Sequence, residues 1–257
     1  MMFLEERQAK ILEMLERDGK VLVKELAEIF GVTEDSIRKD LSSLELDGKL
    51  KRTYGGAVSI EEKLQMTEAN RRRISDVDAK RKIAAAVVKL MQPQDLIFLD
   101  ISTISIAAAQ ILEKTELNLK ILTNMVDVLV MLARNPKIQL YFAGGLINQS
   151  RDGFSDALNL EFLSSFRPDV AFIGASGVDI KKNSLTSRNT AGGVQKSRMI
   201  EQSKTVYIIA ESRKIGIEST YCFAKLDRVD GIITETALPA NLTAAAEKLG
   251  VKIISAE

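Results

Sequence analysis

Residues 7–58 read RQAKILEMLERDGKVLVKELAEIFGVTEDSIRKDLSSLELDGKLKRTYGGAV, and this stretch decides how the first part of the chain folds. Phe3, Ile11, Leu12, Met14 and Leu15 recur at helical spacing, and the pattern stops at Asp18-Gly19, a helix-ending pair. Val23 to Phe30 reads as a second, short helix with Leu26, Ala27 and Phe30 on one face. Gly31-Val32-Thr33 then turns the chain. Thr33 is a good N-cap, and Glu34 and Asp35 suit the positive end of the helix that follows. Ile37, Leu41 and Leu44 form that helix's buried stripe, and Asp47-Gly48 ends it. Leu50 to Val58 alternates around Gly55-Gly56 as a β-hairpin does.

A short helix, a glycine turn and a second amphipathic helix make a helix-turn-helix. Opposite the apolar stripe lie Asp35, Lys39, Ser42 and Ser43, flanked by Ser36 and Arg38. Small polar and basic side chains suit a major groove, where they must reach base edges and phosphates. Lys49, Lys51 and Arg52 enter the hairpin, a sensible place for phosphate contacts. Total charge does not decide the matter, because residues 1–57 hold 10 Lys and Arg against 12 Asp and Glu. The signal is local: Arg38, Lys39, Lys49, Lys51 and Arg52 outweigh Asp40, Glu45 and Asp47. The pattern alone also fits a helical protein-binding module with a solvated face.

This run resembles the N-terminal domain of DeoR-family transcriptional regulators. That family carries a winged helix-turn-helix with an [ST]-x-x-[TS]-[IV]-R-[RK]-D-L recognition helix and an R-T-[HY]-G-G-A wing. Here the first pattern is Thr33, Ser36, Ile37, Arg38, Lys39, Asp40 and Leu41, and the second is Arg52-Thr53-Tyr54-Gly55-Gly56-Ala57. The resemblance implies that Thr33, Ser36, Arg38, Lys39, Ser42, Lys51, Arg52 and Tyr54 meet double-stranded operator DNA. Tyr54 stands where the family more often has His, and outward Asp35 is expected to repel phosphate and help select bases.

Outward from this unit, Ser59 to Ser75 is polar and carries Arg71-Arg72-Arg73, so residues 58–75 read as a linker between 1–57 and 76–257. Beyond it, helical and β-rich segments alternate. Helices at 80–91, 105–112 and 126–133 precede strands at 96–99, 120–122 and 139–142, and apolar strands follow at 170–173, 206–209 and 231–234. Such alternation implies βα units, a mainly parallel sheet and helices on both faces.

Composition narrows the chemistry. The 257 residues include 36 Lys and Arg, 35 Asp and Glu, a single Cys and no His. Lack of His removes the commonest general base, the Ser-His and Cys-His pairs and most zinc sites. A lone Cys222 fits a reducing compartment. The start MMFLEERQAK lacks a signal peptide's pattern, and charges interrupt every apolar run. These features predict a cytoplasmic two-domain protein with no metal, no cofactor and no membrane partner.

From Lys80 to Glu235 the chain resembles the DeoR-family C-terminal sensor domain, which shares its α/β fold with ribose-5-phosphate isomerase. Lys80, Ile83 and Ala84 match K-x-x-I-A, and Asp100-Ile-Ser-Thr-Ile-Ser105 matches the loop D-x-G-T-T-[TS] with Ser102 for Gly and Ile104 for the second Thr. A strand leading into hydroxyl-rich helix-opening residues presents N–H and O–H donors to an anion. Ser102, Thr103 and Ser105 are therefore phosphate candidates, with Asp100 left for a sugar hydroxyl or for bracing the loop; plain N-capping is the alternative. Further family matches are Thr123-Asn124, Gly144-Gly145, Gly174-Ala-Ser176-Gly-Val-Asp179, Lys196 with Met199-Ile200, and Ala210-Glu-Ser-Arg-Lys214. They imply a phosphorylated-sugar effector touched by Lys80, Asn124, Gly144, Gly145, Gly174, Ser176, Lys196 and Lys214, and a homo-oligomer, dimer or tetramer. A tight turn explains Gly144-Gly145 as well. An isomerase needs a positioned carboxylate base, but Ser176 and Ala191-Gly192-Gly193 stand where acids are expected, so a sensor is the expected function. The alternatives are an isomerase fused to a DNA-binding head and a domain that only oligomerises.

Overall fold

Among the described residues, three helices and a three-stranded sheet make up the head. They are α1 (Leu4–Asp18), β1 (Lys20–Leu22), α2 (Val23–Phe30), α3 (Glu34–Leu46), β2 (Leu50–Thr53) and β3 (Gly56–Ser59) in a computed structural model that describes residues 4–59 and 73–256. Gly31 caps α2 at φ 61°, the left-handed conformation a glycine adopts without steric cost. Thr33 caps α3, its hydroxyl accepting from Ser36 N at 3.3 Å. Ile11, Leu15, Leu26, Ile37, Leu41, Leu44 and Leu50 close into one fully buried core. Each contributes about 2 kcal/mol of burial. Strand β1 is too short to announce itself. It pairs with β3, giving the order β1-β3-β2, and a side chain at Gly56 would strike the Val21 carbonyl.

The chain divides into two units, Met1–Arg71 and Arg72–Glu257. Val58 and Ser59, expected as linker, belong to β3, where they pair with the other strands of the wing. Residues 60–72 lie outside the described residues, and with them most of the expected linker. Arg73 lies in the second unit and binds Asp127 at 2.6 Å.

The second unit is a doubly wound α/β domain. Its elements in chain order are α4 (Val77–Lys89), β4 (Leu96–Leu99), α5 (Thr103–Leu112), β5 (Leu119–Thr123), α6 (Val126–Leu132), β6 (Ile138–Phe142), α7 (Ala157–Ser164), β7 (Val170–Gly174), β8 (Gly177–Asp179), β9 (Ser184–Ser187), α8 (Thr190–Gln202), β10 (Thr205–Ile209), β11 (Tyr221–Ala224), β12 (Gly231–Thr234), α9 (Ala240–Lys248) and β13 (Lys252–Ser255). Seven strands form a parallel sheet in the order β13-β12-β10-β7-β4-β5-β6. Alternation along β4 divides the core: Ile97 and Leu99 pack with Ile83, Val87 and Ala108 of α4 and α5, while Phe98 packs with Leu163 of α7 and Met199 of α8. Strands β8, β9 and β11 make a separate antiparallel sheet that the periodicity did not show. The two polar ones, GVD and SLTS, lack a run of apolar residues.

Order in the sheet fixes where chemistry can sit. From β4 the chain winds through β5 to β6, then returns to the other side of β4 with β7 and winds outward through β10, β12 and β13. The reversal between β4 and β7 opens a crevice at their carboxyl ends, the usual ligand position in such sheets. Asp100 and Ser102 follow β4, and Gly174 ends β7.

Candidate functional site

On α3 the face away from the core carries Asp35, Arg38, Lys39, Ser42, Ser43 and Leu46 around an open groove. Arg38 is not idle in the free protein: it binds Asp35 at 2.8 Å and Glu34 at 2.6 Å. Thr33 and Ser36, expected at DNA, bond to each other at 3.0 Å as part of the cap. Asp40, counted above among the surface charges, is instead buried. Arg7 of α1 grips it through Nε at 2.5 Å and Nη2 at 3.1 Å, which removes one negative charge from the groove's surroundings. The wing is latched to α3 by Arg52. Its backbone N–H donates to Glu45 at 2.9 Å, and its guanidinium donates at 2.7 Å to the Ser42 hydroxyl, which itself donates to the Arg38 carbonyl. Glu45 is a positioning group that the sequence reading weighed only as a charge. Lys51 and Tyr54 are exposed on the wing, Tyr54 fully so at its tip.

In the sensor unit Asp100 sits at the carboxyl ends of β4 and β7. Its carboxylate accepts from Gly174 N at 3.0 Å and from the Lys196 ammonium of α8. Both charged side chains are buried. These bonds fit the bracing role expected for Asp100. A Cβ on Gly174 would press on Ser102, so glycine there lets β7 approach the loop after β4.

A second charged group follows β10. Glu211 is buried and meets three cations: Lys214 at 2.5 Å, Arg213 at 3.4 Å and Lys80 of α4 at 3.7 Å. Burial pushes the Glu211 carboxyl up, but Lys214, Arg213 and Lys80 together outweigh it and hold the group below its usual range. Burial pushes the Lys80 ammonium down against the pull of Glu211 and Asp76. Two lysines expected at the effector thus converge on a carboxylate that the sequence reading took only as a variant of the family's Asp.

Beyond β5 lies a buried amide chain. Asn124 Nδ2 donates to Gln195 Oε1 at 3.2 Å, and Gln195 Nε2 donates to Asn159 Oδ1 at 2.5 Å. Asn159 Nδ2 donates onward to the Ala143 and Gly144 carbonyls after β6. Asn124 Oδ1 is left buried without a hydrogen-bond partner among the described residues. Such an acceptor costs about 1–3 kcal/mol until a donor meets it. Adjacent residues of α8, Gln195 and Lys196, therefore join the amide chain to Asp100. Neither Gln195 nor Asn159 was foreseen, since uncharged amides inside a helix carry no pattern of their own.

Other expected residues have different surroundings. Ser105 is fully buried, and its N–H and hydroxyl both bond Ser102. Ser102 and Ser105 form the N-cap of α5, the alternative weighed for this loop. Thr103 shares with Lys80 a cavity of about 290 Å³ between α4, α5 and α6. Gly145, at φ 144°, lies against the Asp156 carboxylate where a side chain has no room, so the tight-turn explanation accounts for it. The Ser176 N–H bonds Thr186 and ties β7's exit to the small sheet. Gly193, where an acid was sought, faces the Tyr221 ring and has no space for a Cβ. Among the described residues no group of three or more His, Cys, Asp or Glu is placed to hold a metal, and no helix is long and apolar enough to cross a membrane.

With this geometry in view, residues 7–63 match the family model of the DeoR-like helix-turn-helix domain and residues 75–236 that of the DeoR C terminal sensor domain. An uncharacterized HTH-type transcriptional regulator of Bacillus subtilis (strain 168), YulB, is 34% identical over 248 residues, covering 96% of this chain and 95% of that protein. The HTH-type transcriptional repressor GlcR of the same strain is 28% identical, covering 100% and 98%. The transcriptional repressor AccR of Agrobacterium fabrum is 27% identical, covering 98% and 97%. Among solved structures, ribose 5-phosphate isomerase A of Methanocaldococcus jannaschii aligns with 55% of each chain at 19% identity and a TM-score of 0.41.

Proposed function

The chain belongs to the DeoR family of transcriptional regulators, and from that premise we propose that it is a cytoplasmic repressor controlled by a phosphorylated sugar. It binds double-stranded operator DNA through α3 and the β2–β3 wing, as a homo-oligomer whose paired heads reach major grooves about 34–36 Å apart. The effector lies at the carboxyl edge of the sheet. The observation that carries this reading is the company kept there: buried Lys80 and Lys196, half-exposed Lys214 and the unpartnered Asn124 acceptor, all following or facing the ends of the parallel strands. Cations answer a phosphate, and Asn124 Oδ1 answers a sugar hydroxyl. Ser102 and Thr103 open α5, whose free N–H groups favour an anion.

Regulation without turnover follows from the same contacts. Asp100 is engaged by Lys196 and Gly174, and Glu211 by three cations, so neither carboxylate is free to shuttle a proton between sugar carbons. Purified protein is expected to leave ribose-5-phosphate and related aldose and ketose phosphates unchanged. Melting measured against a panel of sugar phosphates tests the sensor. A ligand at a hundred times its Kd adds about 2.7 kcal/mol, Thr103→Ala diminishes the shift, and free sugars give little. A panel that leaves melting unmoved while operator binding persists sinks the sugar-phosphate reading.

A further inference from the structure

Leu46 ends α3 and is 88% exposed. At about 100° per residue it falls some 20° from Lys39 and directly opposite Ile37, the centre of the buried stripe. It is thus the apolar member of an outward line otherwise made of Asp35, Arg38, Lys39, Ser42 and Ser43, and it borders the same groove. A solitary exposed leucine elsewhere on a protein needs no explanation. Here it stands on the face that must enter DNA, where polar atoms abound and one apolar group is on offer, the C5-methyl of thymine.

We infer that Leu46 is a specificity-determining residue that packs its methyl groups against a thymine C5-methyl in the major groove. It stands seven residues beyond Lys39, which is about 10.5 Å along the helix. That spans at most about three base-pair steps of 3.4 Å, so the thymine lies within about three pairs of the base or phosphate that Lys39 meets. The inference rests on α3 being the helix that reads the groove.

The full-length protein is first used to select its preferred duplex from a random library. Each thymine of that duplex is then replaced in turn by uracil, which removes the methyl and leaves every hydrogen bond. One position per half-site should weaken wild-type binding about three- to fivefold, the worth of one buried methyl. Leu46→Ala should weaken the parent duplex by the same factor and be indifferent to uracil at that position, with its melting temperature unchanged. If no uracil replacement weakens the wild type, or if Leu46→Ala suffers the same loss as wild type at every position, the inference is overturned while α3 remains the reading helix. A library that yields no preferred sequence would overturn the reading helix as well.

Discussion

The head and the sensor use charge in opposite ways. In the head the cations thought to face DNA are exposed, and Arg38 is held by Glu34 and Asp35, its neighbours on the same helix. In the sensor Lys80, Lys196, Asp100 and Glu211 are buried, and Lys80 and Lys196 meet carboxylates far away in sequence, Glu211 and Asp100. A surface pair exchanges readily with water and contributes little to stability. A buried pair has lost its water and depends on its partner. The difference suits the two tasks proposed: a head that releases its cations to phosphates and a sensor that holds buried cations where an anion is proposed to bind.

The largest expected effect lies at Glu211. Glu211→Gln leaves Lys80 and Lys214 without their shared counter-charge, and breaking such a pair costs about 3–5 kcal/mol. Because the folded carboxyl is held below its usual value, its contribution is full above the ordinary glutamate pKa of 4.5 and fades as pH falls through the lower folded value. Denaturation at several pH values should show the wild type losing this stability in acid and the variant lacking that loss. A variant as stable as wild type at neutral pH would break the contrast between the two regions.

The head's own buried pair comes next. Arg7→Ala strands Asp40 beneath α3 and should cost about 2–3 kcal/mol by urea denaturation. A loss below 0.5 kcal/mol, the usual range for surface changes, would place this pair with the exposed ones. Asn124→Leu probes the amide chain. It removes the unpartnered acceptor together with a donor to Gln195, so stability should change by no more than about 1–2 kcal/mol while the sugar-phosphate melting shift disappears. A retained shift would show that Asn124 does not meet the effector.

Smallest in stability is Arg38→Ala, expected within about 0.5 kcal/mol of wild type. Its effect belongs to binding: the slope of log affinity against log salt should flatten by roughly one unit. An unchanged slope would mean that Arg38 stays with Glu34 and Asp35 when DNA is bound.

The helix-turn-helix was legible almost to the residue, because its stripe, cap and turn are local signals. The helix expected from Val23 to Phe30 is α2 with the same bounds. In the sensor six of the seven parallel strands were legible, since each is a short apolar run bounded by turns, while β13 was not anticipated. Helix α7 was not foreseen: its sequence ALNLEFLS is apolar on most sides and so has no clear period. The candidate site divides the same way. Lys80, Asn124, Lys196 and Ser105 were named for it from the sequence, but Glu211, Gln195 and Asn159, which meet them or their neighbours, were not.

What the sequence determined by itself is therefore the helix-turn-helix, most of the parallel strands, the α/β class and the family, all carried by spacing over a few turns or strands. Only the tertiary structure decided the partners. It set Arg7 on Asp40, Lys196 on Asp100, Lys80 on Glu211, and Asn124 on Gln195 and through it Asn159. A buried charge or amide takes whatever partner the fold brings within reach; in the sensor that proximity is set by the winding of the sheet around the β4–β7 reversal, and in the head by the packing of α1 against α3, neither of which a local pattern encodes.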